Sequence, residues 1–338
     1  MIYHTTTKRR DGYLLLPTSQ SFIAMLGFFA KDWHSAINEI FLDHKAFLSS
    51  LSSDQRDRLM TTSDFAGLSH LCLYVMMHGI LIAIVILQLG HWQLACLPLG
   101  IVTAFYFTLQ HECTHNTPFR SRWLNTVIGH LTAVILCQPF LWFRHFHMAH
   151  HRHTNDTEHD PELSGMPKPN DWKAFLWHLS CVTYWRDKII VLLQNAFGGA
   201  LPSYIPTKAR AAIRTEARLL LLCYAGIAGL IAAGHVWLLF IWLVPLMLGF
   251  PFLRLYLLAE HGRCPRIANM FENTRTIYTH RLLNFLAWNM PYHTEHHIMP
   301  AVPFHHLPAL NQLTKQHLKV TAKGYTAFAS DYVSQFEK

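Results

Sequence analysis

Charge is what this chain has least of. Only 14% of its 338 residues are Asp, Glu, Lys or Arg, against roughly 25% in a soluble domain, while 51% are hydrophobic. That balance excludes an ordinary water-soluble globule. Paired cysteine is missing as well. The seven cysteines (Cys72, Cys96, Cys113, Cys137, Cys181, Cys223 and Cys264) form an odd set without a CxxC pair. They argue against a disulfide framework or an iron–sulfur motif and read as small buried hydrophobes. There is no internal repeat and no low-complexity tract. No signal peptide is expected, because the apolar run 14–30 is broken by Pro17, Thr18, Ser19, Gln20 and Ser21. The 28 Lys and Arg against 20 Asp and Glu, a formal charge of +8, read here as cytoplasmic loops with no nucleic-acid partner.

What is present is a set of long apolar runs. Ala66–Leu89 is long enough to span about 30 Å at about 1.5 Å per residue. Gly90 and His91 turn it directly into a second run, Trp92–Gln110. A second such pair, Leu219–Ala233 and Val236 to about Leu253, turns at Gly234 and His235, and Pro245 and Pro251 are expected to kink its second helix. The expected fold is therefore an all-α integral membrane protein with four transmembrane helices in two hairpins. Neither tight turn carries Lys or Arg, whereas Lys8, Arg9, Arg10, Arg120, Arg144, Arg152, Lys168, Arg186 and Arg214 lie on the other side. The positive-inside rule then puts both termini in the cytoplasm. Residues 1–65 read as a cytoplasmic or interfacial lead-in, 66–310 as the catalytic domain and 311–338 as a cytoplasmic tail. Lys188–Pro206 reads as interfacial.

The chemistry-bearing residues cluster at the helix exits. Arg144–Asp160 holds six histidines, His145, His147, His150, His151, His153 and His159. His147, His150 and His151 stand at i, i+3 and i+4, one face of a helix. His293, His296 and His297 repeat that HxxHH spacing, and His111 and His115 form an i, i+4 pair at the end of an apolar run. Neutral imidazole is the commonest ligand of first-row transition metals and suits zinc, copper, iron and nickel alike. Eight imidazoles exceed what one ion takes up, since zinc is usually four-coordinate and iron rarely exceeds six ligands, so two metals are inferred. His115 and His147 share a site only if Leu124–Phe143, apolar but holding Gly129, His130, Gln138 and Pro139, does not cross the bilayer. It is therefore expected as a re-entrant or interfacial helix.

Taken together, His111-Glu-Cys-Thr-His115, His147-Met-Ala-His150-His151 and His293-Thr-Glu-His296-His297 resemble the three histidine boxes of the membrane-bound fatty acid desaturase and hydroxylase superfamily. The resemblance covers about residues 66–310, including the order hairpin, box, box, hairpin, box. It implies a four-helix membrane core under a cytoplasmic histidine-rich cap. It also implies a non-haem di-iron site, O2 as co-substrate, a lipid acyl substrate, and electrons from a separate ferredoxin or cytochrome b5 type donor. A ninth ligand of the family falls at His261. Three residues between His111 and His115 are closer to the acyl-lipid and carotenoid-modifying branches than to acyl-CoA desaturases, which have four. His293 in place of the glutamine of front-end desaturases, and the absence of an HPGG haem motif, argue against a fused front-end enzyme. Asp156, Asp160, Glu112, Glu260 and Glu295 are candidates to accept the second ring N–H of ligand imidazoles, or else are loop charges and helix caps. His145, His153 and His159 match no box position.

Desaturation is thus the expected reaction, with hydroxylation or ketolation of a lipid or carotenoid as the alternative on the same site. Two other classes fit parts of the pattern. His111-Glu112-Cys113-Thr114-His115 also reads as HExxH, the zinc metalloprotease motif, but that leaves both HxxHH triplets unexplained. A divalent-cation transporter places its polar groups near the bilayer midplane, whereas these histidines sit at helix exits.

Overall fold

The computed structural model describes residues 43–164 and 167–336; the first two-thirds of the expected lead-in, residues 1–42, lie outside the described residues. In chain order the helices are α1 (His44–Ser50), α2 (Ser53–Leu59), α3 (Asp64–Ile86), α4 (Trp92–His115), α5 (Arg122–Leu136), α6 (Phe140–His153), α7 (Trp172–Leu179), α8 (Val182–Phe197), α9 (Arg210–Ala232) and α10 (Val244–His261). A short π-helical turn, Leu239–Leu243, leads into α10. Beyond it lie α11 (Met270–Asn273), β1 (Thr276–Ile277), α12 (Arg281–Leu286), α13 (His293–Ile298), α14 (Leu307–Thr314), β2 (Thr321–Ala322) and α15 (Tyr325–Ser334). The two strands pair in parallel, Thr276 opposite Thr321.

Four helical stretches are long and apolar enough to cross a membrane, Ser53–Ile86, Trp92–His115, Thr207–Ala232 and Leu239–His261. Their outward faces carry bare apolar side chains, among them Leu73, Met76, Ile80, Leu94, Leu219 and Leu222, which only a lipid environment makes favourable. This is a membrane protein. The helices run further than hydropathy indicates at the ends that bear histidine. The second continues past Gln110 through His115, and the fourth past Leu253 to His261. A polar box interrupts the apolar run without interrupting the i to i−4 hydrogen bonds, so hydropathy ends earlier than the helix does.

Helix α4 is the central element, its inner part buried against α3, α5, α6 and α10. It meets α10 backbone to backbone. A Cβ on Gly249 would lie 2.0 Å from the Gly100 oxygen, and one on Gly100 would lie 1.9 Å from that of Pro245. Small residues allow such close approach where lipid supplies no hydrophobic drive between helices. Tyr74 on α3 donates to the Val102 carbonyl of α4 at 2.7 Å, and the His78 ring lies 3.1 Å from the Thr103 hydroxyl.

The segment expected as one re-entrant or interfacial helix is two helices, α5 and α6, bent by 100° at residues 137–139. Pro139 accounts for the break, since it lacks an N–H and pushes the preceding residue out of the helical region. Gln138 at the corner is held from α4, donating to the Gln110 side chain at 2.9 Å while its own carbonyl accepts from the Gln110 amide at 3.1 Å. Lys188 of α8 donates to the remaining Gln138 oxygen. Helix α6 has no cap from its own sequence. Instead Glu216 of α9 accepts from the Phe140 and Leu141 amides, both at 2.9 Å, with His130 Nδ1 2.8 Å from the same carboxylate. A carboxylate at a helix N-terminus satisfies orphan amides and opposes the helix dipole.

Candidate metal centre

Four helices deliver imidazoles to one place. His111 and His115 occupy the last turn of α4, His147, His150 and His151 lie on α6, His261 is the last residue of α10, and His293, His296 and His297 lie on α13. The 100° bend turns α6 back over the end of α4, so that His147 Nε2 stands 2.9 Å from His115 Nε2. All nine sequence-predicted histidines are brought together, seven of them buried and His115 and His151 partly so.

Eight of them gather in two groups, and His293 stands beside the second. His111, His115, His147, His151 and His296 have ligand atoms mutually within 4.8 Å, and so do His150, His261 and His297. In the first group the closest nitrogens are Nε2 on Nε2: His111 to His296 at 2.7 Å, His147 to His151 at 2.9 Å, His151 to His296 at 3.1 Å. In the second, His261 Nε2 lies 3.3 Å from His150 Nε2 and 3.3 Å from His293 Nε2, and His293 Nε2 lies 3.1 Å from His297 Nε2.

The outer nitrogens explain why the inner ones face each other. His150 Nδ1 donates to Asp160 Oδ1 at 2.9 Å, and His261 Nδ1 donates to the Asn273 carbonyl at 3.1 Å. Thr154 spends its proton on the His150 carbonyl at 2.9 Å, so its oxygen accepts from His297 Nδ1 at 3.1 Å. Each of these rings therefore carries its proton on Nδ1 and turns a bare Nε2 lone pair inward. Lone pairs about 3 Å apart repel unless a cation lies among them. Burial holds His293, His296 and His297 well below the usual imidazole range, which keeps them in the neutral form that a metal takes.

The acids divide as follows. Asp160 orients His150, with Glu162 also 3.8 Å from that ring. Glu260 lies 3.3 Å from His293 Nδ1 and Glu112 lies 3.6 Å from His296 Nδ1. Glu295 touches none of the nine rings. It accepts from Thr276 at 2.6 Å, Asn311 at 2.6 Å and Thr314 at 2.8 Å, tying α13 to β1 and to α14. Asp156 pairs with His159 on the surface, away from the nine rings. Glu112 also bears on the HExxH alternative. Fully buried, its Oε2 accepts from the Thr117 hydroxyl at 3.0 Å and the Phe304 amide at 3.2 Å while its Oε1 faces His296 Nδ1 at 3.6 Å, so it backs an imidazole of the third box that the HExxH reading leaves unexplained. Sequence reasoning missed Thr154 and Asn273. Thr154 sits four residues after His150, a spacing that gives a signal; Asn273 acts through its backbone and gives none.

The fatty acid desaturase family model matches residues 89–329, which hold all nine histidines. The chain belongs to this family. As a desaturase it is an oxidoreductase, and its curated relatives are distant ones. It is 25% identical to the sn-1 oleoyl-lipid 12-desaturase of Anabaena variabilis over 266 residues, covering 67% of this chain and 72% of that protein. It is 26% identical to the sphingolipid delta(4)-desaturase of Mus musculus over 219 residues, 61% of this chain and 60% of that one. A delta(9) fatty acid conjugase-like enzyme of Dimorphotheca sinuata is 22% identical over 250 residues, 64% of this chain and 66% of the other. The desaturase thus spans less than two thirds of the length of some relatives it matches.

Proposed function

We propose that this desaturase is an O2-dependent di-iron enzyme that introduces a double bond into the acyl chain of a membrane lipid. One observation carries the reading: eight imidazoles converge in two groups, with His293 beside the second, and His150, His261 and His297 turn unprotonated Nε2 atoms inward. That donor set fits two iron ions, His111, His115, His147, His151 and His296 about one and His150, His261, His293 and His297 about the other. Bound iron would supply the reductive activation of O2 that removing hydrogen from an unactivated CH2 demands, beyond the reach of any side chain. The balance is RCH2CH2R + O2 + 2e⁻ + 2H⁺ → RCH=CHR + 2H2O, so a separate ferredoxin or cytochrome b5 type donor supplies the two electrons.

The chain's own residues do the positioning. Asp160, Asn273 and Thr154 fix the tautomers of His150, His261 and His297, so the inward nitrogens need no reorganisation. Phe107 and Phe143 precede His111 and His147 by one helical turn and pack with each other at 5.4 Å. Phe143 also stacks on the His147 ring at 5.6 Å, which places apolar surface against the cluster. An acyl lipid agrees with the three-residue spacing of the first box and with relatives named for lipid-linked acyl and sphingolipid substrates. The loop charges support an orientation with the histidines and both termini in the cytoplasm.

Lipid profiling of cells with and without the intact gene tests the reaction, because a new double bond and a new hydroxyl give different products. His150→Ala and His296→Ala are each expected to abolish that product while the protein still inserts. Retained activity in both, or purified protein holding one zinc and no iron, would overturn the reading.

A further inference from the structure

One ligand-rich cluster stands apart from the nine histidines. His153, the last residue of α6, meets Asp156 and His159 on the outer face of the turn that follows, with one ligand atom of each within 4.8 Å of the others. The two rings lie 5.2 Å apart and 30° from parallel. His159 and Asp156 are 59% and 42% exposed at the side chain, open to an ion from solvent.

The turn presets this arrangement. The Asp156 amide donates to the His153 carbonyl at 2.8 Å and the Asp160 amide to that of Asp156 at 3.0 Å, fixing the path between the three side chains. The Asp156 carboxylate is aimed by the Glu158 amide on one oxygen and by His159 Nδ1 on the other, both at 2.9 Å. We propose that His153, Asp156 and His159 form a third metal site, at the surface, for a divalent first-row transition ion of the zinc type. Two imidazoles and one carboxylate select such an ion over calcium or magnesium, which take oxygen donors, and three protein ligands leave a position for water.

The same turn has an inner face. Asp160 orients His150 and receives the Asn155 amide at 2.8 Å. The Asn155 side chain donates at 2.6 Å to the Asn273 carbonyl that holds His261. An ion on the outside restrains the segment that aims two of the inner imidazoles, which makes the site a control point for the centre beneath it. The proposal goes beyond the desaturase reading and stands on these three side chains whatever fills the inner cluster.

The test uses the full-length protein in detergent, dialysed against micromolar free zinc, with zinc and iron counted per chain. The wild type is expected to take up one zinc more than His153→Asn/His159→Asn, with equal iron in the two, and to give a visible cobalt spectrum that the double variant lacks. His235→Asn, an exposed histidine in another turn, is expected to keep wild-type uptake, and Asp156→Asn to bind at least tenfold more weakly. Equal zinc uptake by wild type and double variant overturns the proposal. So does uptake matched by release of iron, because the zinc then enters the nine-histidine cluster.

Discussion

Asp160 decides which nitrogen of His150 faces inward, and a single oxygen does it. With Oδ1 2.9 Å from Nδ1 and Oδ2 taking the Asn155 amide at 2.8 Å, the carboxylate cannot turn away. Such outer partners are worth about 10–100-fold in metal affinity or activity. Asp160→Ala is accordingly expected to lower retained iron and product yield by that order in the purified, folded protein. Unchanged metal content would show that His150 is held by helix α6 alone. At this scale the sequence was legible wherever partners are close along the chain. The i, i+3, i+4 triplets and the Asp160 candidate could all be read, whereas Glu295, equally acidic and placed inside a box, serves α13, β1 and α14 instead. Box membership tells where the backbone passes and not which way a side chain turns.

Among elements, α6 depends most on others. Its N-terminus is capped by Glu216, 76 residues from Phe140. Removing a cap costs about 0.5–2 kcal/mol. Glu216→Ala should lower the midpoint of thermal unfolding in detergent and loosen iron, while Glu216→Gln, which keeps one acceptor oxygen, should fall between; a variant as stable as wild type would show that packing alone holds α6. The corner before α6 adds a pH dependence through Lys188. Burial lowers its ammonium from 10.5 to about 7. Between those values the unfolded chain holds a proton that the folded chain has lost, so stability rises with pH across the window and is lowest below pH 7. Thermal unfolding from pH 7 to 9 should show wild-type stability climbing relative to Lys188→Met; parallel curves would refute the assignment.

For the whole molecule the decisive quantity is which side each loop faces. A shared site requires His115 and His147, whose Nε2 atoms are 2.9 Å apart, to lie on one side of the membrane. Cysteines introduced at Arg120 and Arg152, which flank those histidines, are expected to react with an impermeant thiol reagent from the same side, in a background where the native cysteines are replaced. Labelling from opposite sides would mean that α5 and α6 form a broken span and would overturn the shared site.

The sequence by itself determined the class of chain, the number of long apolar helices and the eight histidines of the three boxes, because hydropathy and helical periodicity are local properties; His261 came only from the family resemblance. Only the tertiary structure decided how α5 and α6 divide at Pro139, that Glu216 caps α6, and that the Asn273 carbonyl and Thr154 set the inward nitrogens of His261 and His297. Those pairings join residues distant in sequence, or use backbone atoms that every residue possesses. They exist only once the chain has closed on itself.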